Sequence, residues 1–195
     1  MQARSHVSAA FVSLLLLTMT TAAMAQMRIK MSPTEVIGAL KVGQWVKMEG
    51  VVQRDYSVLT KSIKVLTGDF LESDWSITAV ARIVDYRQKE LKLMRLPIKT
   101  QADTDYENKT GHLQGFTDLK EGMLMEVDGT YLKDGTFLAV EIEDVSVELV
   151  EDPKLGGEVE AVGKIEKVDA ATQVVMLMGI PFKIISETEL KSAIK

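Results

Sequence analysis

The chain has no cysteine. That removes disulfides, thiolate metal sites and thiol nucleophiles together. Histidine is nearly absent as well. Of the two present, His6 lies in an apolar N-terminal leader, which leaves His112 and no multi-histidine metal centre. Aromatic residues are few, at 6% of 195. The two tryptophans, Trp45 and Trp75, read as core or interface anchors. Apart from Ala9–Met19 there is no long apolar run, and that one falls short of the roughly 18 residues that mark a membrane span. Basic charge is also in deficit, with 23 Lys and Arg against 28 Asp and Glu, a net charge of −5. Phosphate neutralisation dominates nucleic-acid affinity, so this balance argues against a nucleic-acid partner.

The leader has the parts of an export signal. Arg4 gives a positive start, Leu14-Leu15-Leu16-Leu17 sits in the apolar centre, and Ala23-Met24-Ala25 is a small-x-small cleavage site before Gln26. Removal of residues 1–25 takes away one charged side chain, Arg4, and moves the net charge from −5 to −6. No cysteine follows the cleavage site to carry a lipid anchor. The expectation is an exported protein of a bacterial envelope, periplasmic or secreted, with no membrane span and no bound cofactor.

Beyond the leader the chain repeats itself out of phase. Leu40-Lys41-Val42-Gly43, closing at Glu49-Gly50, returns 79 positions later as Leu119-Lys120-Glu121-Gly122, closing at Asp128-Gly129. Between these points apolar and polar residues alternate, as in a half-buried strand. A turn at Lys133-Asp134-Gly135 and a returning run, Phe137–Ile142, complete a β-hairpin. A second block, Ala79–Ile83, matches Ala161–Ile165, with two extra residues in the later copy before Val168-Asp169; from there the offset is 84. Leu96-Pro97-Ile98-Lys99 then meets Ile180-Pro181-Phe182-Lys183. This block reads as three strands, the last begun at a proline, a residue suited to a strand start, edge or bulge.

One unit is therefore three strands, a connection, and two strands, the order of an OB-fold. The predicted fold class is all-β: two small OB-like five-strand barrels, one in residues 73–154, the other discontinuous, from 26–72 plus 155–195. In the second, the N- and C-terminal halves supply each other's missing strands. A small β-sandwich is the alternative architecture, and exchange of halves between two chains is the alternative to closure within a monomer. Helix should be scarce. Ser32-Pro33-Thr34-Glu35 predicts one short helix ending near Leu40, with Ser32 as N-cap, Pro33 first and Glu35 closing a capping box.

The repeated pattern resembles the exported bacterial β-domains known as domain of unknown function 5666. The residues that carry the likeness are Val162-Gly163-Lys164-Ile165 with Val168-Asp169, and Gly179-Ile180-Pro181-Phe182-Lys183 with Thr188. The other half is carried by Asp118-Leu119-Lys120-Glu121-Gly122, Val127-Asp128-Gly129 and Ala139-Val140-Glu141-Ile142. The middle copy departs at Ala81 and Arg95, where the later copy has Gly163 and Gly179. The resemblance implies an exported β-barrel repeat, in about two copies here, and carries over no catalytic residue.

Residues able to support chemistry or binding fall into three groups. Met123/Met125 and Met176/Met178 place two thioethers on one strand face, a soft donor pair suited to Cu(I); methionine filling an irregular core is the plainer account. Asp103/Asp105 and Glu187/Glu189 place paired carboxylates at strand ends, where a Ca²⁺ corner, an acid/base pair and a solubilising role compete. Arg82, Arg87, Lys89, Lys92, Arg95 and Lys99 form a basic stretch facing only Asp85 and Glu90, whereas eight acids stand against Lys154 between Glu141 and Glu160. With the His112 loop, the basic stretch reads as a surface for an envelope protein or an anionic glycan or lipid headgroup; a solvated barrel exterior is the plainer account. The functional expectation is a non-enzymatic exported binding protein. Copper handling through the methionines is the alternative, and a carboxylate hydrolase ranks behind both.

Overall fold

The computed structural model describes residues 31–108 and 113–191. The leader (1–25), His6, His112 and the centre of the loop before Leu119 lie outside the described residues. The first described element is α1 (Pro33–Ala39), and Ser32 caps it as the sequence predicts. The Glu35 backbone N–H donates to the Ser32 hydroxyl at 3.3 Å, and the Ser32 N–H donates back to the Glu35 carboxylate at 2.7 Å. Among the described residues thirteen strands follow: β1 (Trp45–Val52), β2 (Val58–Val65), β3 (Trp75–Asp85), β4 (Glu90–Leu93), β5 (Leu96–Lys99), β6 (Asp105–Asn108), β7 (Leu124–Tyr131), β8 (Phe137–Asp144), β9 (Glu158–Lys164), β10 (Lys167–Asp169), β11 (Val174–Leu177), β12 (Ile180–Lys183) and β13 (Glu189–Lys191). A short helix, α2 (Glu148–Glu151), and a 3₁₀ turn lie between β8 and β9. Among the described residues no helix is long and apolar enough to cross a membrane.

Five strands close into a barrel. β3 pairs with β4, β4 with β5, β5 in parallel with β8, β8 with β7, and β7 with the first half of β3. Burial alternates along these strands, and the inward row holds Ile77, Leu91, Leu93, Ile98, Val127, Phe137 and Ile142. The remaining strands pair in the same order. β10, β11 and β12 form a meander, β12 runs parallel to β2, β2 pairs with β1, and β1 pairs with β9. The N- and C-terminal segments thus pair with each other inside one chain.

Recurring residues are those that local geometry requires. Gly50 and Gly129 sit at matching bulges, where an added Cβ would overlap the carbonyl oxygens of Leu59 and Leu138. Thr104 donates its hydroxyl to the Ala139 carbonyl at 2.9 Å, and its counterpart Thr188 donates to the Thr60 carbonyl at 2.8 Å. The closure pairs also balance in volume. At the parallel closure Ile98 faces Phe137 in one set, and Phe182 faces Val58 in the other. Each pair has one phenyl ring and one aliphatic side chain, and all four are fully buried.

The register corrects one alignment. Ile77 pairs with Val127 and Ala161 pairs with Met48, while Val127 and Met48 are counterparts, so Ile77 matches Ala161. Likewise the Ala81 N–H donates to the Met123 carbonyl, and the Ile165 N–H donates to the Gln44 carbonyl. The offset is 84 throughout, and the later copy contains no two extra residues. Where β3 is bulged between Ala81 and Ile83, the other set simply breaks between β9 and β10. An alternating strand matches itself after any shift of two, because the same face stays inward. Gly163 is therefore the counterpart of Ala79, not of Ala81. Gly179 does match Arg95. Met178 and Gly179 both take positive φ in one hairpin, whereas in the other only Met94 does.

Candidate functional site

β4 leaves the edge of β3 after Ala81, which exposes the first half of that edge. β9 fills the gap. Ser76, Ile77, Thr78 and Ala79 pair antiparallel with Val162, Ala161, Glu160 and Val159. Since Ile77 and Ala161 are counterparts, the two units meet about a local two-fold axis through their equivalent first strands. Both are fully buried, so the two strand sets bury the same side of a continuous sheet, in one hydrophobic cluster.

At one end of this junction stands an aromatic cluster. Trp45 stacks on Phe70 with centroids 4.7 Å apart, Trp45 lies 5.3 Å from Trp75, and Trp75 lies 5.5 Å from Tyr131. Gly163 makes room for it: a Cβ there would overlap Cε3 and Cζ3 of the Trp75 indole. Beside the cluster opens a cleft of about 480 Å³, lined by Trp75, Tyr131, Lys133, Lys164, Glu72 and Glu166 among others. Lys164 pairs with Glu72 at 3.1 Å and lies 5.4 Å from the Trp45 ring centre. Glu166 accepts a hydrogen bond from the Gly179 N–H at 3.1 Å. Burial, then the charges of Glu166 and Asp134, push the Tyr131 phenol above its ordinary value, so it remains a donor. Trp75 is 5% exposed, and its Nε1–H is buried with no acceptor, a state that costs about 1–3 kcal/mol.

The cluster does not repeat. At the two-fold-related place Trp75 becomes Val159, Tyr131 becomes Val52, Trp45 becomes Leu124, and Lys164 and Glu166 become Val80 and Arg82. The signal that would have revealed Tyr131, Lys164 and Glu166 is this comparison of copies, made at the right offset.

A second asymmetry lies on the outer face. Asp105 and Glu107 on β6, Glu141 and Glu143 on β8, and Glu126 and Asp128 on β7 stand directly opposite one another. Their counterparts are Glu189, Lys191, Ser62, Lys64, Lys47 and Glu49. Like charges opposed across strands destabilise a sheet. Burial first and neighbouring carboxylates second hold Glu126 and Glu141 above the usual carboxylate range, and burial does so for Asp128. Glu126 also lines a smaller cleft of about 230 Å³ with Glu49, Glu148, Glu158 and Glu160. Among the described residues no group of three or more His, Cys, Asp or Glu side chains is placed to hold a metal ion.

The basic stretch does not form one surface. Lys92 pairs with Glu90 at 3.5 Å, and the Arg95 guanidinium stacks 4.5 Å over the Tyr56 ring, across the junction. Lys99 acts on Asp134 as its counterpart Lys183 acts on Asp55. Arg82, Arg87 and Lys89 remain exposed at the β3–β4 end, beside exposed Ile83 and Tyr86. The methionine pairs are placed differently from one another. Met125 is buried, while the Met123 sulfur accepts the Lys120 N–H at 3.2 Å. Met176 faces outward on β11 opposite Lys167, and Met178 lies beyond the strand, buried in the turn. Asp103 precedes β6, and Glu187 accepts from the Ser186 hydroxyl at 2.7 Å.

Residues 76–143 match the model of a protein family described as a domain of unknown function, DUF5666. The match spans the five barrel strands from β3 to β8 and supports the family likeness. No curated protein and no solved structure matches the chain.

Proposed function

We propose that this chain is an exported, non-enzymatic binding protein of the bacterial envelope, and that its ligand occupies the junction cleft beside Trp75 and Tyr131. In this reading the molecule is two OB-like barrels, the second circularly permuted and closed by both chain ends. The strand order and parallel closure support it, as does the repetition of glycine bulges, threonine bonds and closure pairs in both sets. The leader of residues 1–25 supports export.

One observation carries the binding assignment. The two units share their bulge glycines and threonine bonds and diverge at the cleft, where valine, valine and leucine stand against tryptophan, tyrosine and tryptophan. A cleft of about 480 Å³ at a domain junction, with aromatic walls and a few polar groups, has the character of a ligand site. The test is a panel of neutral oligosaccharides, short peptides, nucleotides and fatty acids against the purified chain, read by tryptophan emission and thermal shift. One class should produce a saturable change that Tyr131→Val abolishes. A panel without any response, or equal binding by the variant, overturns the assignment.

A second reading concerns the β3–β4 end. Arg82, Arg87 and Lys89 flank the exposed Ile83 and Tyr86, a combination suited to an anionic envelope surface. Co-sedimentation with phosphatidylglycerol vesicles, lost on reversing the three charges, is the check; equal binding by the variant removes this reading.

A further inference from the structure

We infer that the ligand of the junction cleft is a neutral glycan, an inference that rests on the binding assignment above. The wall charges are balanced: Lys133 and Lys164 against Glu72 and Glu166. Two of the four are paired with each other, and Glu166 is engaged by the Gly179 N–H. No net charge is left to attract an ionic ligand. A purely apolar ligand would desolvate this polar rim without replacing its hydrogen bonds.

Sugars have the complementary chemistry. Their C–H faces are apolar and suit an aromatic wall such as Tyr131 beside Trp75. Their hydroxyls both donate and accept, and so can serve lysine, carboxylate and phenol alike. The Tyr131 phenol, whose value burial pushes up further, is a donor of this kind. The Trp75 Nε1–H is buried with no acceptor, so a sugar oxygen serves it only where the indole turns toward the cleft on binding. The Cε3–Cζ3 edge of that indole lies against Gly163, which places Nε1 on the far side of the ring from the strand. An extended peptide would instead be held by an open strand edge. Over Val159–Val162 β9 has both edges paired, with β1 and with β3, so main-chain capture is closed off along that stretch of the junction.

The experiment titrates the full chain with hexasaccharides of glucose and of N-acetylglucosamine, beside a polyanionic heparin hexasaccharide and a tetrapeptide. Both tryptophans belong to the cluster, so emission reports on the site, and calorimetry gives the affinity. A neutral hexasaccharide should bind saturably and with little dependence on salt. Tyr131→Val should abolish that binding. Trp75→Phe keeps a ring but removes the N–H, and should weaken binding by about three- to tenfold while the circular dichroism stays native. Tyr131→Phe gives a milder second variant, expected to weaken binding by a similar factor. If the tetrapeptide or heparin binds in the cleft and neither neutral sugar does, the glycan assignment falls and the binding assignment stands. If nothing binds there, both fall. Equal sugar affinity in all three variants also overturns the inference.

Discussion

Gly163→Ala is the sharpest perturbation of the junction. The new methyl would overlap the Cε3–Cζ3 edge of the Trp75 indole and come within 3.2 Å of Leu177 Cδ1. Neither neighbour can yield easily, since Trp75 is 5% and Leu177 0% exposed. Overpacking of this kind costs about 1–3 kcal/mol. If the indole leaves its site, its contacts with Trp45 and Tyr131 weaken as well, at about 0.5–1.5 kcal/mol each. The expected loss is about 2–4 kcal/mol, a fall in Tm of roughly 5–15 °C for a chain of this size. Urea and thermal melts followed by far-ultraviolet circular dichroism measure it without relying on tryptophan emission. The molecule contains its own control. By the local two-fold, the pair corresponding to Trp75 and Gly163 is Val159 opposite Ala79. The double variant Trp75→Val with Gly163→Ala reproduces that pair and should recover at least about 1 kcal/mol relative to additivity. A Gly163→Ala variant within about 0.5 kcal/mol of the parent, or a strictly additive double variant, would refute the reasoning.

Two other outcomes are expected. Glu126, Asp128 and Glu141 have raised folded-state values, so each binds its proton more tightly folded than unfolded. Their contribution to stability falls as pH rises through that raised value, and acidification from neutrality restores it. Asp55 acts in the opposite direction. Hydrogen bonds from the Ser57 hydroxyl and N–H, then Lys183, hold it down to about 2, so its contribution is present above the usual 3.8 and lost as pH falls toward 2. Tm should therefore peak on the acidic side of neutrality, and Glu126→Gln with Glu141→Gln should flatten its decline toward neutral pH; an unchanged decline would count against the opposed-acid account. At the closure pairs, Phe182→Ile should cost about 1–3 kcal/mol in urea melts, and adding Val58→Phe, which transfers the ring as in Ile98–Phe137, should recover much of it. No recovery would show that the two sites do not share volume.

The strands, hairpins and N-terminal cap were legible because each has a local signature: alternation, turn glycines, and Ser32 three residues before Glu35. Pairing between the chain ends was legible through the repeat order. The offset between the first strands was not, since a shift of two leaves an alternating pattern unchanged, and with it the true partner of Gly163 was hidden. Asp105 and the acids from Glu141 onward stood out in the sequence, but their assembly into one face did not, for another reason. Glu107, Glu126 and Glu143 become neighbours only through the register of β6, β7 and β8. The basic stretch misled in the opposite sense. Contiguous in sequence, it is divided by the β3–β4–β5 meander, which sends Arg87 and Arg95 to opposite strand ends. Trp45 and Trp75 were identified as anchors, but Tyr131 and Glu166, which complete the cleft, carry no local signature.

The insertion of one strand set within the other sets an order of folding. All five strands of the closed barrel lie between Trp75 and Asp144, and each finds its barrel partners within that span, β3 alone pairing beyond it with β9. β1 and β2 are made earlier, yet their remaining partners, β9, β12 and β13, come only after Glu158. The first hairpin must wait, half paired, while an entire barrel is synthesised and folds. Long-range pairing of this kind is slow, and open strand edges favour association between chains. Refolding should therefore show a fast phase for the barrel and a slower one for the terminal strands, with the intermediate between them the species most exposed to aggregation.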